Sequence, residues 1–276
     1  MSGTYPTVCK DALKFAARFG FITQGIFFEY LCPLQKSQQY SFWRMLRDEG
    51  LIFSAKTQSD VFYLTYKGRK ACETTARSGR AIYFIEHDLH VARLLFELTS
   101  SGLVLRSWLE NELSTNHWEA YSILGTDRIG KLPDLVVDMK TKEGTRRIAF
   151  EIERSRKSKE RYDQMALNFL DLRNINLILF ACSDEGIAQI VRRAFRGEVF
   201  VQNDKVPGTF LIESFERNKF EANVRFMDKD FSLKRLLLAA LKQEDSVWQS
   251  PSEKNRKMIG NRSDGFPIIK EIEYEK

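Results

Sequence analysis

The sequence predicts an α/β protein (α+β in the stricter sense) in two parts: a helical unit that carries a hairpin, and a central mixed sheet flanked by helices. The chain has 276 residues and is 43% hydrophobic, which suits one or two domains with a sizeable core. From about residue 87 onward, amphipathic helical patterns alternate with strand-like segments, an order typical of helices packed on a sheet. Residues 176–182 are almost entirely apolar, which is typical of a strand buried on both faces of a sheet.

The charge of the chain is unevenly distributed. Of its 43 basic and 37 acidic residues, twelve basic and six acidic ones lie within residues 1–80. The whole formal excess of +6 therefore belongs to the first eighty residues, and the rest of the chain is balanced. This asymmetry predicts a polyanion-binding unit, with nucleic acid as its partner, joined to an electrically neutral unit.

Several classes of protein are excluded. The four cysteines are scattered without a CxxC pair, so neither a disulfide framework nor a zinc site is expected. The apolar runs are much shorter than the ~20 residues that span a bilayer. The N-terminus lacks the basic start and apolar segment of a secretion signal. Together these observations predict a soluble protein of the reducing cytoplasm. Phosphate-loop, dinucleotide-binding and GxSxG motifs are also missing, so nucleotide-driven unwinding is not expected.

Three helices and a hairpin are predicted for the first part of the chain, residues 1–82. Thr23 and Ser37 are expected to cap the second and third helices through their side-chain oxygens. A polar turn at residues 56–60 separates two strand-like segments. The predicted helices cover residues 11–19, 21–31 and 37–48, and the predicted strands cover residues 51–55 and 61–66.

This order of elements resembles the winged helix, and residues 64–72 resemble the segment that follows the wing. The resemblance implies that the third helix enters the major groove of DNA while the wing contacts the backbone. Glutamine and arginine suit base edges, and lysine suits phosphate. Since many winged helices bind protein instead, that alternative stays open. The candidate DNA-binding residues are Gln38, Gln39, Arg44, Arg47, Lys56, Lys67 and Arg69.

The second part, residues 83–245, is predicted to alternate helices with strands, and residues 246–276 form a flexible tail. Gly144 supplies the turn between two of the strands, and Glu110 stands at the end of the first one. The predicted helices cover residues 87–100, 157–172, 184–196 and 231–242, and the predicted strands cover residues 103–109, 132–139, 146–152, 176–182, 198–202 and 209–213.

The order helix, three strands, helix, strand resembles the core of the PD-(D/E)xK nuclease superfamily. Pro133-Asp134 opens the second strand, and Glu151-Ile152-Glu153 ends the third. Because side chains two apart on a strand share a face, Glu151 and Glu153 point the same way, and an antiparallel neighbour would bring Asp134 beside them. Carboxylates that share a pocket repel one another unless a hard divalent cation binds between them. We therefore predict Mg²⁺ or Mn²⁺ at Asp134, Glu151 and Glu153, with Glu110 as a further ligand.

The superfamily usually has a lysine where Glu153 stands. Lys157 and Lys159 follow closely enough to reach back, and Lys157 is the candidate replacement; Arg154 is less suited to proton transfer. In the alternative interpretation, residues 154–161 are a solvated helix start that contacts phosphate. The candidate catalytic residues are Asp134, Glu151, Glu153 and Lys157.

A closer resemblance joins both parts of the chain. Glu110, Pro133-Asp134 and Glu151-Ile152-Glu153-Arg154-Ser155, in this order behind a winged helix, resemble the plasmid replication-relaxation family with its MobC-type relaxases. The resemblance covers roughly residues 8–215. It implies a DNA relaxase that nicks one strand at an origin of transfer during plasmid mobilisation, with double-stranded plasmid DNA and an accessory mobilisation or coupling protein as partners.

Two other functions remain open at this point. The missing lysine favours a non-catalytic plasmid replication or accessory protein with a decayed nuclease core, and a restriction-like endonuclease that cuts both strands is a weaker alternative. The three histidines, His87, His90 and His117, do not suggest a histidine-held metal. Tyr121 and Tyr162 stand near the site in sequence as possible nucleophiles, although Tyr162 also fits the buried stripe of its helix.

Overall fold

The computed structural model describes residues 5–55, 58–72, 82–126, 130–142 and 144–242. The chain divides into two compact units, one that runs up to Phe96 and one that begins at Glu97. This boundary lies inside a long helix, fourteen residues beyond the one expected at residue 82. The predicted tail, residues 246–276, lies outside the described residues. Within the described ranges, no helix combines the length and hydrophobicity that crossing a bilayer requires.

The first unit combines helices with a small antiparallel sheet in which the third strand lies between the other two. The second helix continues as a π-helical turn over Phe27–Leu31. The fifth helix extends past the end of this unit. The elements are α1 (Thr7–Phe19), β1 (Ile22–Thr23), α2 (Gln24–Ile26), α3 (Lys36–Asp48), β2 (Ile52–Ala55), β3 (Gln58–Leu64), α4 (Tyr66–Ala71) and α5 (Ile82–Ser100).

Of the two predicted helix caps, one is present and the other is not. Thr23 is a cap, since its hydroxyl oxygen accepts the N–H of Ile26 at 3.2 Å. The prediction for Ser37 is wrong: α3 begins one residue earlier, with Gln35 at the N-cap and no side-chain cap bond. The predicted turn at 56–60 lies in part outside the described residues, and its last residues belong to β3.

An aromatic cluster holds the first unit together. The Trp43 ring of α3 lies 5.2 Å from the ring of Phe27 and 5.0 Å from that of Phe62 on β3. Aromatic pairs at such distances add favourable edge-to-face contacts to the free energy of burial. Trp43 is buried, as the sequence predicts for a core residue, and it is not available for stacking on a base.

The second unit is built on a seven-stranded mixed sheet flanked by helices. Its strand order is β10-β9-β8-β7-β6-β5-β4, in which the β6–β7 and β7–β8 pairs are parallel and the other pairs antiparallel. The strands are β4 (Val104–Leu109), β5 (Leu135–Thr141), β6 (Gly144–Glu153), β7 (Leu177–Cys182), β8 (Gly208–Leu211), β9 (Asn223–Phe226) and β10 (Lys229–Ser232). The helices are α6 (Glu110–Thr115), α7 (His117–Leu124), α8 (Lys159–Leu170), α9 (Glu185–Ala194), α10 (Glu198–Gln202), α11 (Ile212–Asn218) and α12 (Leu233–Leu241).

Two of the predicted strands differ from the structure. Residues 198–202 form helix α10, in which Phe200 enters the core while Val199 and Val201 remain exposed. Alternation of this kind is also what a half-buried strand shows, so the sequence pattern does not separate the two over so short a segment. The strand predicted for residues 209–213 ends at Leu211, where α11 follows.

The core of the second unit lies between the sheet and helices α7, α8 and α9. All six residues of β7 are buried, which confirms the prediction of a strand covered on both faces. Helix α8 buries the predicted apolar stripe, with Tyr162 and Phe169 fully enclosed. The face of the sheet that α8 covers is the face on which the predicted acidic residues stand.

Candidate functional site

Three neighbouring strands bring the acidic residues to one edge of the sheet. β5 and β6 are antiparallel, with Leu135 opposite Phe150. One further step in this register places Asp134, just before β5, opposite Glu151 near the end of β6. Glu153 is two residues along and therefore shares the face of Glu151. The structure thus brings Asp134 and Glu151 together, as their spacing predicts.

The two carboxylates are held by the backbone. Asp134 Oδ2 accepts the N–H of Ile152 at 2.7 Å, and the N–H of Asp134 donates to Glu151 Oε2 at 3.3 Å. Both side chains are buried, Glu151 with only 1% of its surface exposed. These bonds hold the two carboxyl groups in position.

Glu110 joins the same edge from the neighbouring strand. It is the first residue of α6, directly after β4, and its N–H donates to the carbonyl oxygen of Asp134 at 3.2 Å. Its side chain is 43% exposed, far more than those of Asp134 and Glu151. Glu110 therefore lies at the solvent-facing side of the acidic group.

A lysine that the sequence analysis missed lies among these three side chains. The Nζ atom of Lys131 is 3.0 Å from Glu151 Oε1, 3.1 Å from Asp134 Oδ1 and 3.5 Å from Glu110 Oε1. Lys131 lies in the segment before β5, where no helical or strand periodicity marks it. Its place three residues before Asp134 is the sequence signal that could have indicated it.

Glu153 has its own partner. Lys157 forms a short ion pair with Glu153 Oε1, so the predicted reach back from the helix start is confirmed as a contact. On the other side, the Tyr162 hydroxyl donates to Glu153 Oε2 at 3.5 Å. Lys159, the other proposed replacement, is the exposed first residue of α8. Of the two lysines proposed as replacements, Lys157 is therefore the one that contacts Glu153.

Burial raises the pKa of two of these carboxyl groups. Burial raises the pKa of Glu151 to about 8, and the Asp134 carboxylate acts in the same direction. Burial also raises the pKa of Glu153, which the Lys157 ammonium partly offsets. Burial therefore disfavours the ionised forms of Glu151 and Glu153.

The same charges act on Lys131 in the opposite sense. Burial alone would lower the pKa of this lysine, but Glu151, Asp134 and Glu110 outweigh it and raise the pKa above its usual value. Lys131 is therefore a permanent cation within the acidic group.

The acidic group meets only part of what a divalent cation requires. Among the residues that the structure describes, no three or more His, Cys, Asp and Glu side chains form a ready ion site. The Lys131 ammonium stands where the carboxylates would have to close around an ion. The chemistry of the donors nevertheless fits Mg²⁺ or Mn²⁺, because the three acidic side chains around Lys131 present carboxylate oxygens, the ligands that these ions prefer. Glu110, Asp134 and Glu151 would hold the ion, with Glu153 beside them.

The tyrosines proposed as nucleophiles differ in access. Tyr162 is fully buried, as its place in the stripe predicts, and burial raises its pKa to about 12. A buried hydroxyl with so high a pKa is a poor nucleophile at neutral pH. Tyr121, on α7, is about half exposed.

The candidate DNA-binding residues of the first unit differ in exposure and in their contacts. Gln38, Arg44 and Arg47 lie on α3 with exposed side chains. The Gln39 amide is engaged inside the unit, since its nitrogen donates to the carbonyl oxygens of Phe28 at 3.1 Å and Cys32 at 2.8 Å.

The three candidates around the hairpin differ as well. Lys67 forms an ion pair with Glu49 at 2.9 Å, while Arg69 is exposed on α4. Lys56 lies outside the described residues. Of the seven candidates, the described basic side chains that are exposed belong to Arg44, Arg47, Lys67 and Arg69.

Comparisons with known proteins add no further residue to this site. No family model matches the chain, and searches of the curated proteins and of the solved structures found no similar protein. Inference about function therefore depends on the contacts of the residues themselves.

Proposed function

We propose that the chain is a metal-dependent DNA endonuclease that nicks one strand, with Asp134 and Glu151 at its centre. The observation that carries this proposal is the convergence of these two buried carboxyl groups, seventeen residues apart, at one edge of the sheet. Burying carboxylates side by side is costly unless a cation compensates for their charge. Carboxyl groups whose pKa is shifted by burial and by a neighbouring charge are candidates for a functional site.

The chemistry follows from charge and position. A bound Mg²⁺ or Mn²⁺ would polarise the scissile phosphate and lower the pKa of the attacking oxygen. Asp134 and Glu151 would supply ligand oxygens, and Glu110 a further one from the exposed side. Lys157, held by Glu153, would place a positive charge beside the reacting phosphate.

The first unit is proposed to select the DNA as a winged helix. Its order of helices and hairpin, its basic excess and the exposed Arg44 and Arg47 on α3 support this role. In a complex of this kind, α3 would lie in the major groove. The protein-binding alternative predicts no dependence of duplex binding on these arginines.

The biological role proposed is that of a replication-relaxation protein of the MobC type. It would act on double-stranded plasmid DNA at an origin of transfer, in the cytoplasm, with an accessory mobilisation or coupling protein as its further partner. The support for this is the order of Glu110, Pro133-Asp134 and Glu151-Ile152-Glu153 behind the first unit.

A second candidate function is a non-catalytic DNA-binding protein whose nuclease core has decayed. The observation in its favour is that lysines, not open positions, face the carboxylates of the described site. Glu153 in place of the usual lysine supports the same alternative.

A plasmid assay separates these functions. The EDTA-stripped full chain is incubated with Mg²⁺ or Mn²⁺ and a supercoiled plasmid that carries the DNA flanking its own gene. Open circles support the nickase, linear product supports an endonuclease that cuts both strands, and a gel shift without cutting supports the non-catalytic protein. Asp138→Asn is the matched control for Asp134→Asn, since Asp138 stands on β5 and pairs with Arg147, away from the site.

A further inference from the structure

Lys131 occupies the point at which the acidic side chains of the site converge. One oxygen from each of Glu110, Asp134 and Glu151 lies between 3.0 and 3.5 Å from its Nζ atom. These three oxygens come from three separate segments, and one side chain bridges all of them. Lys131 is therefore a cation shared by three carboxylates, unlike a lysine in an ordinary surface ion pair.

We infer that the Lys131 ammonium and a divalent cation are alternative occupants of one position. This inference rests on the proposed function, because it concerns the same carboxylates and the same ion. A divalent cation that entered between Asp134 and Glu151 would lie in direct contact with the ammonium. Two positive charges at such a distance repel each other strongly in a poorly solvated site, so the lysine moves out when the ion binds.

The exposure of the side chains indicates which partner moves. The Lys131 side chain is 30% exposed, whereas Asp134 is 4% and Glu151 1% exposed. The carboxylates are also held by backbone bonds, among them the one from the N–H of Ile152 to Asp134. Lys131 lies outside the strands, so its long side chain can turn to solvent while the carboxyl groups stay in place.

This exchange has a consequence for metal affinity. In the metal-free protein, the lysine offsets the negative charge of carboxylates that lie side by side. An incoming ion has to replace these contacts, and its apparent affinity is reduced accordingly. Lys131 therefore stabilises the metal-free protein and, by the same contacts, weakens metal binding.

The test measures binding of Mn²⁺ alone, without DNA. EDTA-stripped full chain and its Lys131→Met and Lys131→Gln variants are titrated with MnCl₂ by calorimetry, and their melting temperatures are recorded with and without the ion. Lys219→Met is the matched control, since Lys219 pairs with the buried Glu97 elsewhere in the second unit, at 3.2 Å. We expect both Lys131 variants to bind Mn²⁺ about tenfold more tightly than the wild type. In EDTA, their melting temperatures should be lower than that of the wild type. Lys219→Met should keep the wild-type affinity.

Each outcome is informative. If the wild type binds Mn²⁺ and the Lys131 variants bind it equally or more weakly, the exchange is refuted and the proposed metal-dependent function stands. If no form binds Mn²⁺, both fail together. Variants that fold only when Mn²⁺ is present support the exchange, because the ion then replaces the ammonium. Variants that remain unfolded with and without the ion count against it.

Discussion

The N–H of Asp134 donates to Glu151 Oε2 at 3.3 Å, and Asp134 Oδ2 accepts the N–H of Ile152, the residue after Glu151, at 2.7 Å. Each residue thus fixes the other across the β5–β6 pair. Backbone bonds of this kind place a carboxylate more accurately than side-chain contacts alone, and positioning within a fraction of an ångström is what catalysis at phosphorus requires.

The first prediction concerns Asp134→Asn. This change keeps an oxygen for the N–H of Ile152 but removes the negative charge that would bind the ion. We expect nicking of supercoiled plasmid to fall by about a hundredfold or more, since a bound metal contributes several kcal/mol to such reactions. Duplex binding in a gel-shift assay should remain close to that of the wild type. If Asp134→Asn loses binding and cutting in parallel while Asp138→Asn loses neither, the proposed division of labour between the two units is wrong.

Much of this site can be predicted from the sequence, for a physical reason. The two-residue period of a strand fixes which side chains share a face, so Glu151 and Glu153 were placed together without coordinates. The pairing of β5 with β6 follows from the short turn around Gly144, and it brings Asp134 opposite Glu151. Local rules and one tight turn are therefore enough to predict that these three residues lie close together.

Such local rules do not predict the position of Lys131 or the helical conformation of α10. Lys131 stands in a segment without periodicity, and its contacts with Glu110, Asp134 and Glu151 depend on how three strand ends meet. Helix α10 was misassigned because one buried Phe200 between two exposed valines is compatible with either secondary structure. In both cases tertiary packing decides what the local sequence leaves open.

The second prediction concerns pH and Glu151. Its pKa is about 8 in the folded chain, against an ordinary value near 4.5. Between these values the folded state holds a proton that the unfolded state releases. The free energy of unfolding therefore rises as the pH falls from 8 towards 4.5, and this gain is lost as the pH rises. Glu151→Gln mimics the protonated form and removes this dependence.

The measurement compares wild type and Glu151→Gln by urea unfolding in EDTA. Between pH 9 and pH 6, we expect the wild type to gain on the order of 2 kcal/mol relative to the variant. The difference between the two proteins reports the titration of Glu151 together with that of the groups that interact with its charge. Equal pH dependence in the two proteins would show that Glu151 is already ionised in the folded state.

The third prediction concerns the lysine that contacts Glu153. Lys157→Met leaves a buried Glu153 without its cation, which should lower the free energy of unfolding by about 2 kcal/mol, less than for a fully buried pair because Lys157 is partly exposed. We also expect nicking to fall by about tenfold or more, at a temperature where the variant is folded. Lys159→Met, an exposed neighbour, should change neither quantity. Comparable losses in both variants would point to a diffuse phosphate-contacting surface at the start of α8.

The last prediction contrasts two polar residues of α3. The exposed Arg44 is free to meet DNA, so Arg44→Ala should weaken duplex binding and lower the slope of log affinity against log salt by about 1 if the contact is to phosphate. Gln39 instead ties α3 to the carbonyl oxygens of Phe28 and Cys32. Gln39→Ala should therefore destabilise the first unit by about 1–2 kcal/mol, since two carbonyl groups lose their donor.

Thermal unfolding and fluorescence anisotropy on a labelled duplex, measured over a range of salt concentrations, distinguish these two effects. Gln38→Ala, an exposed neighbour on the same helix, is the control for Gln39→Ala and should leave the melting temperature unchanged. A Gln39→Ala protein that keeps its stability but loses affinity for DNA would place the Gln39 side chain at the duplex, and the contacts with Phe28 and Cys32 would then have to break on binding.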